Sequence, residues 1–202
     1  MYKLIWKYKT PGIPDSEFSK RDKVPITKEE VRAIQISKAR LCEGDTVYDI
    51  GCGSGSITVE AAIQVGRSGK IFAIDIDANA TSLSKENLEK FGITNVTVIH
   101  ADGKDAVRDF PQANAIFIGG TGGDTRAIIS ECVKKLLPGG RIVVGVILVE
   151  TLLAVIKTFE EIGFEADITQ ITVSKSRKTS TGTMMLARNP VTIISAEKPL
   201  IE

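Results

Sequence analysis

Residues 165–189 read EADITQITVSKSRKTSTGTMMLARN. Two β-rich runs, 165–174 and 182–189, are separated only by KSRKTST. A crossover between parallel strands needs a dozen or so residues, so these runs are predicted to pair as an antiparallel hairpin. Upstream the pattern differs. Short apolar runs alternate with segments of helical periodicity, as in a parallel sheet covered by helices. Strands are predicted over DTVYDI (45–50), KIFAID (70–75), VTVIHA (96–101), ANAIFIG (113–119) and GRIVVGVI (140–147), with helices at 55–66, 79–91, 124–137 and 149–162. The strand count is then seven: five parallel strands and a closing hairpin. A further helix is predicted over 27–43, with Thr27 and Glu30 spaced as a capping box and Val31, Ile34, Ile36 and Leu41 toward the core.

The 202 residues suffice for one domain: an extended segment 1–26, the helix 27–43 and a core 45–195. With 26 basic and 25 acidic residues, charge gives no reason to expect a nucleic-acid surface. No apolar run reaches the ~18 residues of a membrane span. The start, MYKLIWKYKT, lacks the long apolar stretch and cleavage site of an export signal. Cys42, Cys52 and Cys132 are odd in number and match no metal spacing, so neither a disulfide framework nor a zinc site is expected, and a reducing cytoplasm fits. Two local clusters, Lys3, Lys7 and Lys9 near the start and Lys175, Arg177 and Lys178 in the hairpin, are either solvated surface or an attraction for a polyanionic small molecule.

DIGCGSG (49–55) follows a strand and opens a helix, the switch point where α/β folds bind ligands. A dinucleotide fingerprint is G-x-G-x-x-G. Here Gly51, Gly53 and Gly55 give the tighter G-x-G-x-G, with Asp49 two residues before it. This resembles the first motif of S-adenosylmethionine-dependent methyltransferases, in which Gly53 would permit close approach of the amino-acid end and Asp49 would favour its ammonium. Asp75 ends the next strand, placed for ribose hydroxyls, and Asp77 reads as a helix cap. Asp102 and Gly103 follow the third strand, where such enzymes meet the adenine. His100, the only histidine, reads as a structural residue near the end of a buried strand.

The chain as a whole resembles a narrower family. GIPDSEF (12–18), VPITKEEVR (24–32), DIGCGSG, IGGTGG (118–123), LPGGRIVV (137–144) and GTMMLARNPV (182–191) are similar to the stand-alone, decarboxylating precorrin C15-methyltransferases of cobalamin biosynthesis. The resemblance implies a class I methyltransferase fold: a Rossmann-like α/β three-layer sandwich with a seven-stranded, mostly parallel sheet. It implies S-adenosylmethionine as methyl donor, with Thr27, Gly51, Cys52, Gly53, Ser54, Gly55, Asp75 and Gly103 in contact with it; Asp49 and Asp102 join them from their positions. It also implies methylation at C15 of a cobalt-precorrin with loss of the ring-C acetate carboxyl, and a homotetramer. A functional pairing with a separate C5-methyltransferase is left open. Members often read Gly-Asp-Ala where this chain has Ala101, Asp102 and Gly103, so adenine contact is expected by backbone.

A precorrin carries many carboxylates, so its binding face should offer cations and free amides. Gly119, Gly120, Thr121, Gly122 and Gly123, with Arg126, Arg177 and Lys178, are the candidates. Successive glycine amides near a helix N-terminus can form an anion nest; the alternative is that GGTGG only lets the chain turn tightly. No general acid or base is singled out, and no metal ligand set. An RNA or protein methyltransferase of the same fold is the alternative enzyme, disfavoured because GGTGG stands where an Asn/Asp-Pro-Pro-aromatic motif would orient an amine. A non-catalytic S-adenosylmethionine-binding module would need no basic substrate face.

Overall fold

The computed structural model describes residues 6–200. Helix α1 (Glu29–Ala39) precedes an alternating run: β1 (Thr46–Ile50), α2 (Ser56–Val65), β2 (Lys70–Asp75), α3 (Ala78–Phe91), β3 (Val96–His100), a short α4 (Gly103–Ala106), β4 (Ala113–Ile118), α5 (Thr125–Lys135), β5 (Leu136–Val146) and α6 (Val149–Glu161). Strands β6 (Asp167–Ile171), β7 (Ser174–Lys178), β8 (Thr183–Ala187) and β9 (Val191–Glu197) close the chain. The main sheet has seven strands in the order β3-β2-β1-β4-β5-β9-β6; β7 and β8 form a separate two-stranded sheet. Strands β1 to β5 are parallel, and β9 runs antiparallel to both β5 and β6.

Period-two patterning divides the core. Tyr48, Ile116, Ile118, Ile142, Val144 and Ile194 pack with Ile129 and Cys132 of α5 and with Val155 and Phe159 of α6. Their alternates Val47, Phe117, Val143 and Ile193 pack with Val31 and Ile36 of α1 and with Ile57 and Ala61 of α2. The central strands β1, β4, β5 and β9 are thus buried on both faces, as a sheet covered on both sides requires, while the outer strands β3 and β6 are more open, and the three-layer expectation holds.

The end of the chain differs from the sequence reading. The run 165–174 is two strands, not one. β6 pairs in the main sheet with β9, a strand the patterning missed, while β7 pairs with β8 in register Ser174↔Ala187 to Lys178↔Thr183. The predicted antiparallel hairpin exists, but it is inserted between the last two sheet strands instead of supplying them.

The segment before α1 is also more than a lead-in. The capping box does not form: the cap position is Lys28, with no side-chain bond. The Asp15 carboxylate instead accepts the Glu29 amide at 2.9 Å, and Glu30 pairs with Lys175 at 2.6 Å and Arg188 at 3.0 Å. α1 is accordingly shorter than predicted. Arg32 is fully buried; its Nε lies 2.6 Å from Glu60, and its other nitrogens donate to the carbonyls of Ile13 and Thr27. The Glu60 carboxylate also accepts the Gly12 and Ile13 amides, each at 2.9 Å. Residues 12–28 are therefore a strap bound across α2. Lys3 of the N-terminal basic cluster lies outside the described residues. No helix among the described residues is long and apolar enough to cross a membrane.

Candidate active site

The parallel strands deliver their C-terminal ends to one edge, where a cavity of about 260 Å³ opens. Its walls include Gly51 after β1, Asp75 and Ile76 after β2, Asp102, Gly103 and Lys104 after β3, and Gly120, Thr121 and Gly122 after β4. Residues predicted from four separate loops meet in it.

The first glycine-rich loop is shaped by contacts that only glycine permits. Gly51, Gly53 and Gly55 have φ of 72°, 54° and 74°, a region costly for residues with a β-carbon. A β-carbon on Gly51 would sit 2.7 Å from the Gly120 oxygen, and one on Gly119 would sit 2.9 Å from the Gly51 oxygen. The Gly119 amide donates to the Ile50 carbonyl at 2.8 Å. The two glycine-rich loops are thus one continuous floor of bare backbone. Gly53 is stopped by the strap in the same way, 2.8 Å from the Pro25 oxygen.

Asp75 links the loops through its carboxylate, accepting the Gly53 amide at 2.9 Å on one oxygen and the Asp77 amide at 2.9 Å on the other. Asp77 caps α3, as read from the sequence, accepting from the Asn79 amide. Asp102 caps α4 by accepting the Lys104 amide at 3.0 Å. Lys104 reaches across the cavity mouth to Asp124 at 2.6 Å and Asp102 at 3.6 Å; these bonds to Asp124 first, with the charge of Asp102, hold its ammonium above the usual lysine range.

Asp49 lies under the loop, not on the cavity wall. It is 2% exposed and accepts from the Thr58 hydroxyl at 2.5 Å. Burial, and then the nearby charge of Asp75, push its carboxyl up to about 6 against that hydrogen bond. Cys52, Ser54 and Gly55 are likewise buried behind the wall, and burial drives the Cys52 thiol far above the ordinary range. Thr27 is half-buried in the strap and off the cavity wall, its carbonyl accepting from Arg32.

The substrate-side candidates separate. Gly120, Thr121 and Gly122 line the cavity, while Gly119 supports its floor and Gly123 is exposed beyond it. Arg126 instead pairs with Glu161 of α6 at 2.9 Å. Arg177 and Lys178 are exposed on β7, away from the cavity wall, and form no ion pair among the described residues. Contrary to the sequence reading, His100 is exposed; its Nε2 lies 2.9 Å from the Ile76 carbonyl. Ile74, Ile76 and Ile128, which supply apolar wall, were missed. The signal the sequence carries is Ile76 set between Asp75 and Asp77; the structure leaves it 71% exposed. Among the described residues no group of three or more His, Cys, Asp or Glu is arranged to hold a metal.

A family model described as a precorrin methyltransferase domain matches residues 17–198. The chain belongs to the precorrin methyltransferase family. This precorrin methyltransferase is 45% identical over 199 residues to a probable cobalt-precorrin-6B C(15)-methyltransferase (decarboxylating) of Saccharolobus solfataricus, covering 97% of this chain and 100% of the relative. A crystal structure of precorrin 8W decarboxylase from Methanobacterium thermoautotrophicum superposes with a TM-score of 0.87 at 36% identity, over 91% of this chain and 98% of that one. A precorrin-6y C5,15-methyltransferase from Geobacter metallireducens gives a TM-score of 0.88 at 34% identity, over 95% and 100%.

Proposed function

We propose that this methyltransferase moves a methyl group from S-adenosylmethionine to C15 of a cobalt-precorrin and releases the ring-C acetate carboxyl as carbon dioxide, in cobalamin biosynthesis. The observation that carries the reading is end-to-end similarity, 45% over 97% of the chain, to a relative bearing that name. The cavity fits the donor. Asp75 keeps free lone pairs for ribose hydroxyls, Ile74 and Ile76 offer apolar surface to a base, and Gly51, Gly120 and Gly122 present wall without side chains.

The donor, when bound, supplies a methyl group already activated on sulfur. The chain's part is to hold that group and the acceptor carbon in line at roughly 3–3.5 Å and to keep water out. The glycine floor and the Lys104–Asp124 bridge serve those ends. Methyl transfer forms the new bond at C15 as the carbon–sulfur bond breaks. Loss of carbon dioxide returns its electron pair to the macrocycle, which then takes up a proton.

We further infer a homotetramer, and a functional pairing with a separate C5-methyltransferase. Isolated two-stranded sheets are marginal in water, and β8 exposes Met184 and Met185 at 46% and 63%; burial between copies would stabilise it. The test is incubation with methyl-labelled S-adenosylmethionine and cobalt-precorrin-6B. One methyl transferred per carbon dioxide released is expected; methyl transfer to tRNA in its place would sink the proposal.

A further inference from the structure

The strand order makes the site edge a line that can be read from one end to the other. The cavity occupies the ends of β3, β2, β1 and β4. Next comes the end of β5, where Val146 pairs with Thr192 at the start of β9. There the chain continues into Ile147, Leu148 and Val149, which are 68%, 63% and 65% exposed. Leu153, one turn beyond Val149 on α6, is 52% exposed, and the i, i+4 spacing puts the two on one helix face. Lys157 extends that face by another turn and is exposed, with no ion pair among the described residues. Large aliphatic side chains gathered in this way are a patch, and such patches mark binding sites. The last strands in line, β9 and β6, carry the hairpin with Arg177 and Lys178.

We propose that Ile147, Leu148, Val149 and Leu153 form an apolar shelf for the flat face of the acceptor macrocycle, with Arg177, Lys178 and Lys157 facing its rim carboxylates. The inference rests on the C15-methylation reading and names the acceptor half of that site. Two observations choose this occupant. The shelf adjoins the loop after β4, whose glycines line the cavity, so a ligand lying on it reaches the donor side over backbone alone. The charges also match: apolar surface flanked by uncommitted cations suits a ring with apolar faces and an anionic rim. Glu150 is the single acid in the first turn of α6.

The shelf residues are exposed, so Leu148→Ser combined with Leu153→Ser should leave the fold intact. The full-length variant is expected to raise KM for cobalt-precorrin-6B and weaken binding of uroporphyrin, a polycarboxylated macrocycle, by about tenfold or more. Affinity for S-adenosylhomocysteine by calorimetry should hold. Unchanged KM and uroporphyrin affinity overturn the shelf while C15 methylation stands, as does failure of the wild-type chain to bind uroporphyrin at all. A changed sedimentation mass with unchanged macrocycle affinity makes the face a contact between copies and overturns it too. If the wild-type chain transfers no methyl group to cobalt-precorrin-6B, the underlying reading fails instead.

Discussion

The carbonyl oxygen of Pro25 lies 2.8 Å from the point a β-carbon on Gly53 would occupy, and it accepts the Ser54 amide at 3.1 Å. Strap and glycine loop therefore fix each other. Gly53→Ala must displace backbone and holds a positive φ, so it is expected to destabilise by more than about 1 kcal/mol and abolish donor binding. Gly120→Ala is the control: its β-carbon would meet nothing within 4 Å. Its melting temperature should match wild type, and any loss of turnover then reports ligand contact. Melting curves and S-adenosylhomocysteine titrations of the two variants check the contrast.

Asn87, fully buried, ties the same two segments together from beneath. Its amide nitrogen donates to the carbonyls of Ser54 at 2.8 Å and Ser19 at 3.2 Å, and its oxygen accepts the Ser19 amide at 2.8 Å. Asn87→Ala leaves those groups unpaired, a loss of about 1–3 kcal/mol. S-adenosylhomocysteine affinity should fall several-fold while KM for the acceptor stays near wild type. Equal effects on both ligands would reduce Asn87 to general stability.

Arg32 and Glu60 are both buried and 2.6 Å apart. Arg32→Met strands a buried carboxylate, which costs about 3–5 kcal/mol. Adding Glu60→Met should cost less than the two single changes summed, because the stranded charge disappears. Urea denaturation of the three variants measures this; strict additivity would show that the pair does not act as a unit.

The Asp49 carboxyl, raised by burial to about 6, starts from roughly 3.9 in the unfolded chain. Between about pH 4 and 6 the folded protein holds a proton that the unfolded one has lost, so this group's contribution to stability falls as pH rises through that window, then levels off. Asp49→Asn is neutral throughout. It should be more stable than wild type at pH ~8 by on the order of 2 kcal/mol, the gap narrowing toward pH ~4. A pH-independent difference in melting temperature would refute the assignment.

Local rules made much of this molecule legible. Alternating apolar runs located β1 to β5 because a strand buried on both faces must be apolar throughout. The two glycine runs, with the acids at the end of β2 and just after β3, located all four of the cavity's loops. Tertiary pairing decided the rest. Nothing local distinguishes VTIISAE at β9, buried in the main sheet, from TMMLA at β8, outside it; the difference lies in which partner each meets. Likewise Asp15 caps α1 from outside that helix, so the nearer Thr27 looked like the cap. Arg32 reads as a surface charge until the Glu60 carboxylate, 28 residues away, is placed beside it.

The inserted hairpin leaves the main sheet after Ile171 and returns at Val191, and these two residues are register partners. Neighbouring strands lie about 5 Å apart, so the gap between exit and re-entry is one that an Asn-Gly turn can span. The hairpin is thus a detachable cassette. Replacing residues 172–190 with such a turn should yield a chain that folds and binds S-adenosylhomocysteine, yet neither assembles nor turns over, a separation that sedimentation and calorimetry on one preparation can score.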